Sequence, residues 1–563
     1  MKKLFLSLLT ALTLGWGSYA TNPPDEGMWL PMLIDRLNYV DMQKMGLHLT
    51  AEELYNVNQS SLKDAIVGLG NVDYPTMHFC TAEVVSGQGL LLTNHHCGFD
   101  AIQEQSSVDN DYLTNGFWAM KKEEELPCKG ITASFLVRME DVTAEVLADV
   151  TPNMDAATRA ATIKKVTQKL QKDNSEKGKY KVDVKSFFED NEYYMFVYIV
   201  YRDVRLVGAP PSSIGKFGGD TDNWMWPRHT GDFSMLRVYA GPDGEPADYS
   251  KDNIPMKPKH YLPVSLKGVK KNDFAMVWGY PGTTDRFLTS YGVNLAVEES
   301  NPTVVQVRTA KLNIMKEAMS ADPKVKLQYA SKYASSANYW KYFIGQTQQL
   351  KRNKVWEKKK ELEDAFSAWV AKDAARQESY GKVLSQINEG YNDLKKFNVH
   401  LKYLEEAVFQ GPEFIYFSFG AYSLFGKLKQ QTEVKDKTAK AAYEQDIKAL
   451  SDDFRTEVAK HFKDYNMALD KKIFIALMKL YYNGVAKDQH PSVFADVDKK
   501  FKGSFEAWAD DVYAKSVFVD ETRLNAFLDK PSYKTLSADP GWLITLSMVD
   551  AIRALDSDAD LRG

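Results

Sequence analysis

The sequence predicts an α+β protein of more than one domain, because two different residue patterns follow each other along its 563 residues, the first typical of strands and the second of helices. From about residue 73 to residue 283, short apolar segments alternate with glycine and proline turns, as in antiparallel sheets. No proline then occurs between Pro323 and Pro412, where apolar residues recur at helical spacing among many charges. We therefore predict a β-rich domain over residues 21–290 and an α-helical domain over residues 291–563.

The first twenty residues, MKKLFLSLLTALTLGWGSYA, have the pattern of a secretory signal peptide. Lys2 and Lys3 precede an apolar run from Leu4 to Leu14, and a pattern of small residues ends at Ala20. A membrane anchor is the alternative, but the apolar run is too short to span a bilayer. We expect cleavage after Ala20, export across the inner membrane and no membrane span in the mature chain.

Several segments of the first half have the composition of strands. The stretch EVVSGQGLLLTN (83–94) indicates a strand, a turn at Gly87 and Gly89, and a returning strand. Residues 151–182 interrupt this series of strand-like segments, because they are charged and helix-like. The other segments expected to contain strands are 131–146, 193–211, 232–241 (DFSMLRVYAG) and 273–282 (DFAMVWGYPG).

The charge pattern of the second half is typical of solvated helix faces. Residues 351–394 and 437–462 combine helical apolar spacing with many charges, and further helices are expected as far as Leu555. Charged residues make up 26% of the chain, and the net charge is −4 with both signs mixed. Phosphate binding needs a basic face, so this composition argues against nucleic acid as the main partner.

The three cysteines are Cys80, Cys97 and Cys128. In an exported protein a disulfide between Cys80 and Cys97 is the natural expectation, and pairing of Cys128 with one of them is the alternative. Such a bridge would contribute about 3 kcal/mol in the chain-entropy model. The sequence contains no CxxC, HExxH or HxxEH motif, so we predict no metal site.

Two of the nine histidines stand side by side in LLTNHHCGFD, at His95 and His96, directly before Cys97. A disulfide back to Cys80 would pin the residue before Cys97, and a general base has to be held in this way. The arrangement resembles the chymotrypsin fold, in which the catalytic histidine immediately precedes a bridged cysteine. It selects His96 as the base. Structural roles for one or both histidines are the alternative.

A histidine base needs a carboxylate that holds its tautomer and stabilises the imidazolium. In chymotrypsin-like chains that aspartate heads an apolar strand downstream of the histidine. Asp232 fits this position, because it follows His96 in the chain and leads into the apolar segment FSMLRV. We therefore predict that Asp232 and His96 meet in the folded protein.

Three longer stretches resemble the bacterial dipeptidyl-peptidase 7 and 11 family of serine exopeptidases. They are GAPPSSIGKFGGDTDNWMWPRHTGDFSMLRVYAG (208–241), DEGMWLPMLIDRLNYVDMQKMGLHLT (25–50) and LLTNHHCG. The resemblance implies a chymotrypsin-like double β-barrel with a large inserted helical lid over the active site. It places the base at His96 and its orienting acid at Asp232. It further implies the periplasm or cell surface of a Gram-negative bacterium, a possible homodimer and no cofactor.

The family removes dipeptides from peptide substrates that have a free N-terminus. The resemblance assigns the substrate's amine to Asn223 and Trp224, in DTDNWMWP, and to Asn338, in SANYWKYFIGQ. An amide oxygen accepts hydrogen bonds from an ammonium group, and an aromatic face attracts its charge. We therefore expect these three side chains to converge on one cleft beneath the helical domain.

The nucleophile is where the sequence departs from the family pattern. The family's serine lies in a GNSGS-type segment after the helical domain, and the 563 residues contain no such segment. Ser212 and Ser213 belong to the ordinary signature upstream of Asp232 and have no oxyanion loop beside them. We therefore expect a truncated and inactive dipeptidyl-peptidase with an incomplete second barrel. The alternatives are an inactive remnant that binds peptide N-termini and a helical adaptor, although an adaptor needs neither His96 nor Asp232.

Overall fold

The computed structural model describes residues 28–188 and 190–560. The predicted signal peptide, residues 1–20, lies outside the described residues. The chain is a mixed α/β protein, with a large antiparallel sheet in its first half and helices throughout its second half. Within the described residues, no helix combines the length and the hydropathy needed to cross a membrane.

Among the described residues the sheet has 11 strands, and every pair of neighbouring strands is antiparallel. Their order is β4-β9-β10-β3-β2-β1-β6-β8-β7, with β11 paired to β10 and β5 paired to β9. The strands are β1 (Ile66–Asn71), β2 (His78–Val84), β3 (Leu90–Thr93), β4 (Phe117–Trp118), β5 (Leu126–Pro127), β6 (Ile131–Asp141), β7 (Lys181–Phe187), β8 (Glu192–Tyr201), β9 (Asp203–Ala209), β10 (Ser234–Ala240) and β11 (Ile254–Pro255).

The helices of six or more residues are concentrated after Ser290. In the described part of the chain before Ser290 there are three: α1 (Tyr39–Lys44), α2 (Phe99–Glu104) and α3 (Ala156–Asp173). The others are α4 (Ser290–Leu295), α5 (Asn301–Ala321), α6 (Pro323–Arg352), α7 (Val355–Val370), α8 (Ala374–Tyr380), α9 (Val383–Tyr403), α10 (Glu413–Ser418), α11 (Tyr422–Glu433), α12 (Lys437–Lys463), α13 (Met467–Gly484), α14 (Phe494–Phe501), α15 (Phe505–Lys515), α16 (Glu521–Asp529) and α17 (Pro540–Asp560).

The predicted hairpin at residues 83–94 is present as β2 and β3, with Gly89 in the turn. Gly89 has a φ of +65°, which L side chains rarely adopt, and a Cβ atom there would lie 2.8 Å from the carbonyl oxygen of Val238. The long run 193–211 contains two strands, β8 and β9, rather than one. The two strands are separated at Arg202. They have different partners, because β8 pairs with β6 and β7 whereas β9 pairs with β10.

The strand predicted within residues 273–282 is absent, and this prediction is wrong. Its alternating side chains Phe274, Met276 and Trp278 do pack inward, against a small apolar cluster near the start of the chain. Its backbone, however, contacts a side chain of the sheet rather than the backbone of a strand. The amide of Tyr280 donates to Thr81 Oγ1 at 2.8 Å. A ladder needs consecutive backbone pairs with a neighbouring strand, and this segment has none among the described residues.

Two large apolar cores stabilise the two halves of the chain. The sheet packs buried Leu69, Leu91, Leu206 and Leu236 together, while a larger cluster that includes Trp542 fills the helical half. Burying such side chains is the main favourable term in folding, at about 25 cal/mol per Å² of apolar surface. The two separate cores correspond to the strand-like pattern of the first half of the sequence and the helical pattern of the second half.

The two halves meet along α6. Leu327, Ala330 and Ala334 of this helix pack against the core of the sheet. The Ser331 hydroxyl donates to the carboxylate of Asp100, and the Ser331 amide donates to Gln103 Oε1 at 2.8 Å. One long helix therefore fixes the helical half against the strands that carry the predicted site.

Candidate active site

His96 and Asp232 are 136 residues apart in the sequence and are hydrogen-bonded in the structure, with Nδ1 and Oδ2 separated by 2.7 Å. Strand pairing brings them together. His96 lies in the turn after β3, Asp232 lies just before β10, and Thr93 of β3 is the register partner of Ser234 of β10. The amide of His96 also donates to Asp232 Oδ1 at 3.0 Å, so both carboxylate oxygens are engaged by one residue.

The environment of Asp232 keeps it ionised. Burial raises its pKa, but the hydrogen bonds and charge of His96, with a smaller contribution from Arg228, outweigh this effect and hold the pKa below its usual value. Its side chain is 17% exposed, whereas that of His96 is 67% exposed. A carboxylate at Nδ1 favours the tautomer with the proton on Nδ1, which leaves Nε2 able to accept a proton.

Cys80 of β2 and Cys97 form a disulfide, with their Cα atoms 6.0 Å apart. The bridge ties the turn that contains His96 back to the preceding strand. Cys128 is a buried free thiol, and burial raises its pKa to about 12. Among the described residues the only metal-ligand cluster is Cys80, His96 and Cys97, and both of its sulfurs are used by the disulfide.

Replacing both bridged cysteines, Cys80→Ala with Cys97→Ala, is expected to lower the free energy of unfolding by about 3 kcal/mol. The physical reason is that the bridge closes a loop across a sequence separation of 17 and so restricts the unfolded chain. Urea unfolding measures this loss, and reduction of the unmodified chain should reproduce it. Cys128→Ala leaves the bridge intact, so reductant should lower the free energy of unfolding of this variant as much as that of the unmodified chain. A loss below about 1 kcal/mol in the double variant would contradict the prediction.

His95 has a different role from its neighbour. Its side chain is buried beneath Gly215, where a Cβ atom would overlap the imidazole ring, and it packs edge-on against Phe99 at 5.7 Å between ring centroids. Burial lowers the pKa of His95, so the ring is neutral near pH 7. His95 therefore supports the turn, and His96 presents its ring to solvent.

The three residues assigned to the substrate amine converge at the junction of the sheet and α6. Asn223 Nδ2 donates to Asn338 Oδ1 at 2.9 Å, and Trp224 Nε1 donates to the same oxygen at 3.0 Å. The Trp224 ring lies 5.0 Å from the ring of Tyr342, and Trp224 has a φ of +58°. A left-handed tryptophan is strained, and strain of this kind is held in place by surrounding contacts and clusters at functional sites.

Sequence reasoning missed several residues of this region. Arg228 donates through Nη1 to Asn223 Oδ1 at 3.4 Å and through Nε to Thr230 Oγ1 at 3.1 Å. Tyr333 of α6 donates to Asp220 Oδ2 at 3.1 Å. Arg228 and Asp220 lie inside the motif 208–241, but their side-chain partners are not visible from spacing. Tyr333 lies on α6 five residues before Asn338, a spacing that does not put the two residues on one helix face, so the sequence gives no signal for it.

The described residues hold no serine hydroxyl hydrogen-bonded to His96. Ser212 donates its hydroxyl hydrogen to the carbonyl oxygen of Leu113 at 2.5 Å. Ser213 is exposed, and no hydrogen bond connects it to His96. The site therefore pairs His96 through Nδ1 with the Asp232 carboxylate, and the imidazole is largely exposed.

Comparison with known proteins identifies the family. The family model described as Peptidase S46 matches residues 24–562. The chain is 42% identical to an Asp/Glu-specific dipeptidyl-peptidase of Flavobacterium psychrophilum, over 94% of this chain and 71% of that protein. It is 40% identical to dipeptidyl-peptidase 7 of Porphyromonas gingivalis, over 99% of this chain and 75% of that protein.

A solved structure agrees with this assignment. The crystal structure of Porphyromonas endodontalis DPP11 in complex with the dipeptide Arg-Glu superimposes with a TM-score of 0.82. The sequence identity is 33%, and the match covers 96% of this chain and 75% of that chain. The strand order, the helical half and the paired His96 and Asp232 thus occur in a chain that resembles these enzymes along nearly all of its length. The chain belongs to the Peptidase S46 family.

Proposed function

We propose that this protein is a serine-type dipeptidyl-peptidase, a hydrolase that releases dipeptides from the free N-termini of peptides. The observation that carries the proposal is the contact between His96 Nδ1 and Asp232 Oδ2 at 2.7 Å, next to a strand-pairing register that fixes both residues. The dyad favours a peptidase over an adaptor, because a protein that only binds a partner has no use for a general base.

In this reaction His96 acts first as a general base and then as a general acid. A serine hydroxyl placed at Nε2 of His96 transfers its proton to the imidazole as its oxygen attacks the scissile carbonyl. The carboxylate of Asp232, already ionised, stabilises the imidazolium that forms. The same imidazolium then protonates the leaving amine, and water repeats the sequence to release the dipeptide. No metal or cofactor takes part in these steps.

Selection of a free N-terminus is assigned to Asn223, Trp224 and Asn338. The Asn338 side-chain oxygen already accepts two hydrogen bonds, so the oxygen of Asn223 and the face of Trp224 remain to receive the substrate's ammonium. The contact of Asn223 Oδ1 with Arg228 is long, at 3.4 Å. An ammonium desolvated in this cleft without such acceptors would lose more free energy than it gains.

Asn223→Ala is expected to lower kcat/KM for a dipeptidyl fluorophore by about ten- to a hundredfold in the active enzyme, through loss of one charge-assisted hydrogen bond. Asn353→Ala, at the exposed end of α6, is the matched control and should leave the rate unchanged. An N-acetylated substrate should be cleaved equally poorly by all forms. A rate for Asn223→Ala equal to that of the control would reject its role at the amine.

We propose further that residues 261–287 belong to a second β-barrel whose closing strands and nucleophilic serine are not among the 563 residues. Exposed apolar side chains support this proposal, and Leu266 and Val277 are 97% and 102% exposed. Val264, Val269 and Phe287 of the same segment are exposed as well. Soluble proteins seldom leave such strips uncovered, so a partner surface is expected. The helical half, over residues 291–563, is then the lid, with α6 as its contact with the site.

Export to an oxidising compartment, such as the periplasm or cell surface of a Gram-negative bacterium, belongs to the same proposal. The disulfide between Cys80 and Cys97 supports it, because structural disulfides persist outside the reducing cytosol. Fractionation of the native host, with immunodetection in each fraction, tests this placement. Detection only in the cytosolic fraction would overturn it. A homodimer stays a prediction, to be tested by light scattering.

A further inference from the structure

Cys80, Cys97 and His96 form the one cluster of three or more metal-ligand side chains within the described residues. Both sulfur atoms and a ring nitrogen of His96 all lie within 4.8 Å of one another. In the oxidised chain the two sulfurs are bonded to each other, so neither can act as a thiolate ligand. Reduction of the bridge would leave three ligand groups around one point.

The spacing of these atoms suits a tetrahedral zinc ion. Zinc binds thiolate sulfur at about 2.3 Å and imidazole nitrogen at about 2.0–2.1 Å, so neighbouring ligand atoms lie about 3.5–3.8 Å apart. The sulfurs have to separate to reach this distance. The Cα atoms of Cys80 and Cys97 are 6.0 Å apart, so rotation of the two freed side chains can open the gap without moving the strands.

The charges around the cluster also favour a divalent cation. Two thiolates balance the charge of Zn²⁺, and the neutral imidazole adds a third ligand. The ionised carboxylate of Asp232, 2.7 Å from Nδ1 of His96, contributes further negative charge beside them. Thiolate and imidazole together select zinc over the hard cations that prefer oxygen ligands. A water molecule would complete the fourth position.

The cluster can be reached from solvent. The side chain of His96 is 67% exposed and Cys80 is half-buried, whereas Cys97 is buried. A metal ion can therefore enter from the side of His96, and the bridge is open to a dithiol on the side of Cys80. The remaining cysteine, Cys128, is a buried free thiol outside the cluster and cannot substitute for either ligand.

We propose that the reduced chain binds a thiophilic divalent cation, with Zn²⁺ as the expected ion, through Cys80, Cys97 and His96. A dithiol reductant cleaves the bridge to two thiols and is itself oxidised to a disulfide. Zinc then replaces the two thiol protons, which are released to solvent. The search for linear zinc motifs missed this site because its ligands come from β2 and from the turn after β3.

The consequence for catalysis rests on the proposed function. Coordination at Nε2 of His96 would occupy the nitrogen that takes the serine's proton. It would leave Asp232 at Nδ1, the outer carboxylate that metal-binding histidines commonly have. Coordination at Nδ1 would instead displace Asp232. On either nitrogen the ion removes the general base, so reduction in the presence of zinc would switch off the active enzyme.

Titration of the 563-residue Cys128→Ala chain with Co²⁺, a coloured probe for zinc sites, tests the proposal. The chain reduced with dithiothreitol and then freed of it without air should show the absorption of a tetrahedral thiolate site. Zn²⁺ should abolish that absorption, and the oxidised chain should never show it. His96→Ala should weaken Zn²⁺ binding at least about tenfold, because even an outer partner of a metal ligand contributes that much.

The matched control is His48→Ala, which removes an exposed histidine outside the cluster and should leave the affinity for Zn²⁺ unchanged. The double variant Cys80→Ala with Cys97→Ala should give no thiolate absorption in either redox state. Absence of thiolate absorption in the reduced chain, or equal affinity in the two histidine variants, would overturn the proposal.

A second measurement uses the unmodified chain and does not depend on how a variant folds. Diethyl pyrocarbonate acylates accessible imidazoles, and peptide mapping by mass spectrometry locates the label. Zn²⁺ should protect His96 in the reduced chain but not in the oxidised chain, while His48 is labelled equally in both. Labelling of His96 in the reduced chain at the same rate with and without Zn²⁺ would reject the site. Neither measurement needs peptidase activity, so its failure is distinguishable from failure of the proposed function.

Discussion

The purified 563-residue chain is expected to release a dipeptidyl fluorophore no faster than the buffer background. The described residues pair His96 with Asp232 but bring no serine hydroxyl to His96. Because the members of a catalytic triad act as a unit, loss of the nucleophile alone costs on the order of 10⁶-fold in kcat. The assay is fluorophore release at saturating substrate, compared with an active relative measured at the same enzyme concentration.

Two further variants make this result decisive. Joining the C-terminal segment of a close relative to this chain should restore turnover and cover the apolar strip at residues 261–287. Changing the serine restored in that segment to alanine should abolish turnover again. If the unextended chain turned over at an ordinary enzyme rate and His96→Ala stopped it, the nucleophile would lie within the 563 residues, and the proposal of a missing segment would be wrong.

In the active, extended form, Asp232→Asn is expected to lower kcat by about 10⁴-fold while the fold is retained. An amide nitrogen at the position of Oδ2 would donate to Nδ1 of His96 and favour the tautomer in which Nε2 carries the proton. That tautomer cannot accept the proton of the serine. Steady-state kinetics measures the loss, and circular dichroism reports whether the sheet remains folded.

A matched control for Asp232→Asn is Asp248→Asn. Asp248 lies between β10 and β11 of the same sheet and forms an ion pair with Arg202, but its side chain is 80% exposed. Exposed ion pairs contribute little, about 0–1 kcal/mol, so this variant should retain full activity. Comparable losses in the two variants would show that Asp232 acts through general charge or stability rather than through His96.

The division into strands and helices was predictable because it depends on local periodicity. The hairpin at residues 83–94 and helix α3 follow from turn glycines and charge pattern. The segment 273–282 shows the limit of this reasoning, since its alternation is real but no neighbouring strand offers a continuous backbone ladder. A strand depends on its partner, and the partner is not visible in the strand's own residues.

The site was predictable to different degrees. His96 could be selected from its position before Cys97, and Asp232 from its position at the head of an apolar strand. Asn338 came only from the family resemblance, because a lone asparagine on a helix has no local signal. The contact of Tyr333 with Asp220 joins segments far apart in the chain, and only the packing of α6 against the sheet reveals it. Arg228 and Asn223 are close in sequence, but spacing alone does not show that their side chains meet.

The pairing of Thr93 with Ser234 has a consequence for how this family can change during evolution. The distance between His96 and Asp232 is set by the two adjacent strands β3 and β10, not by the length of the segment that separates the two residues by 136 positions in the sequence. Lengthening a flexible loop costs little free energy, about 0.6 kcal/mol for each doubling. Insertions and deletions in the loops of this segment can therefore accumulate without moving the dyad. A single-residue deletion inside β3 or β10 would turn one partner to the opposite face.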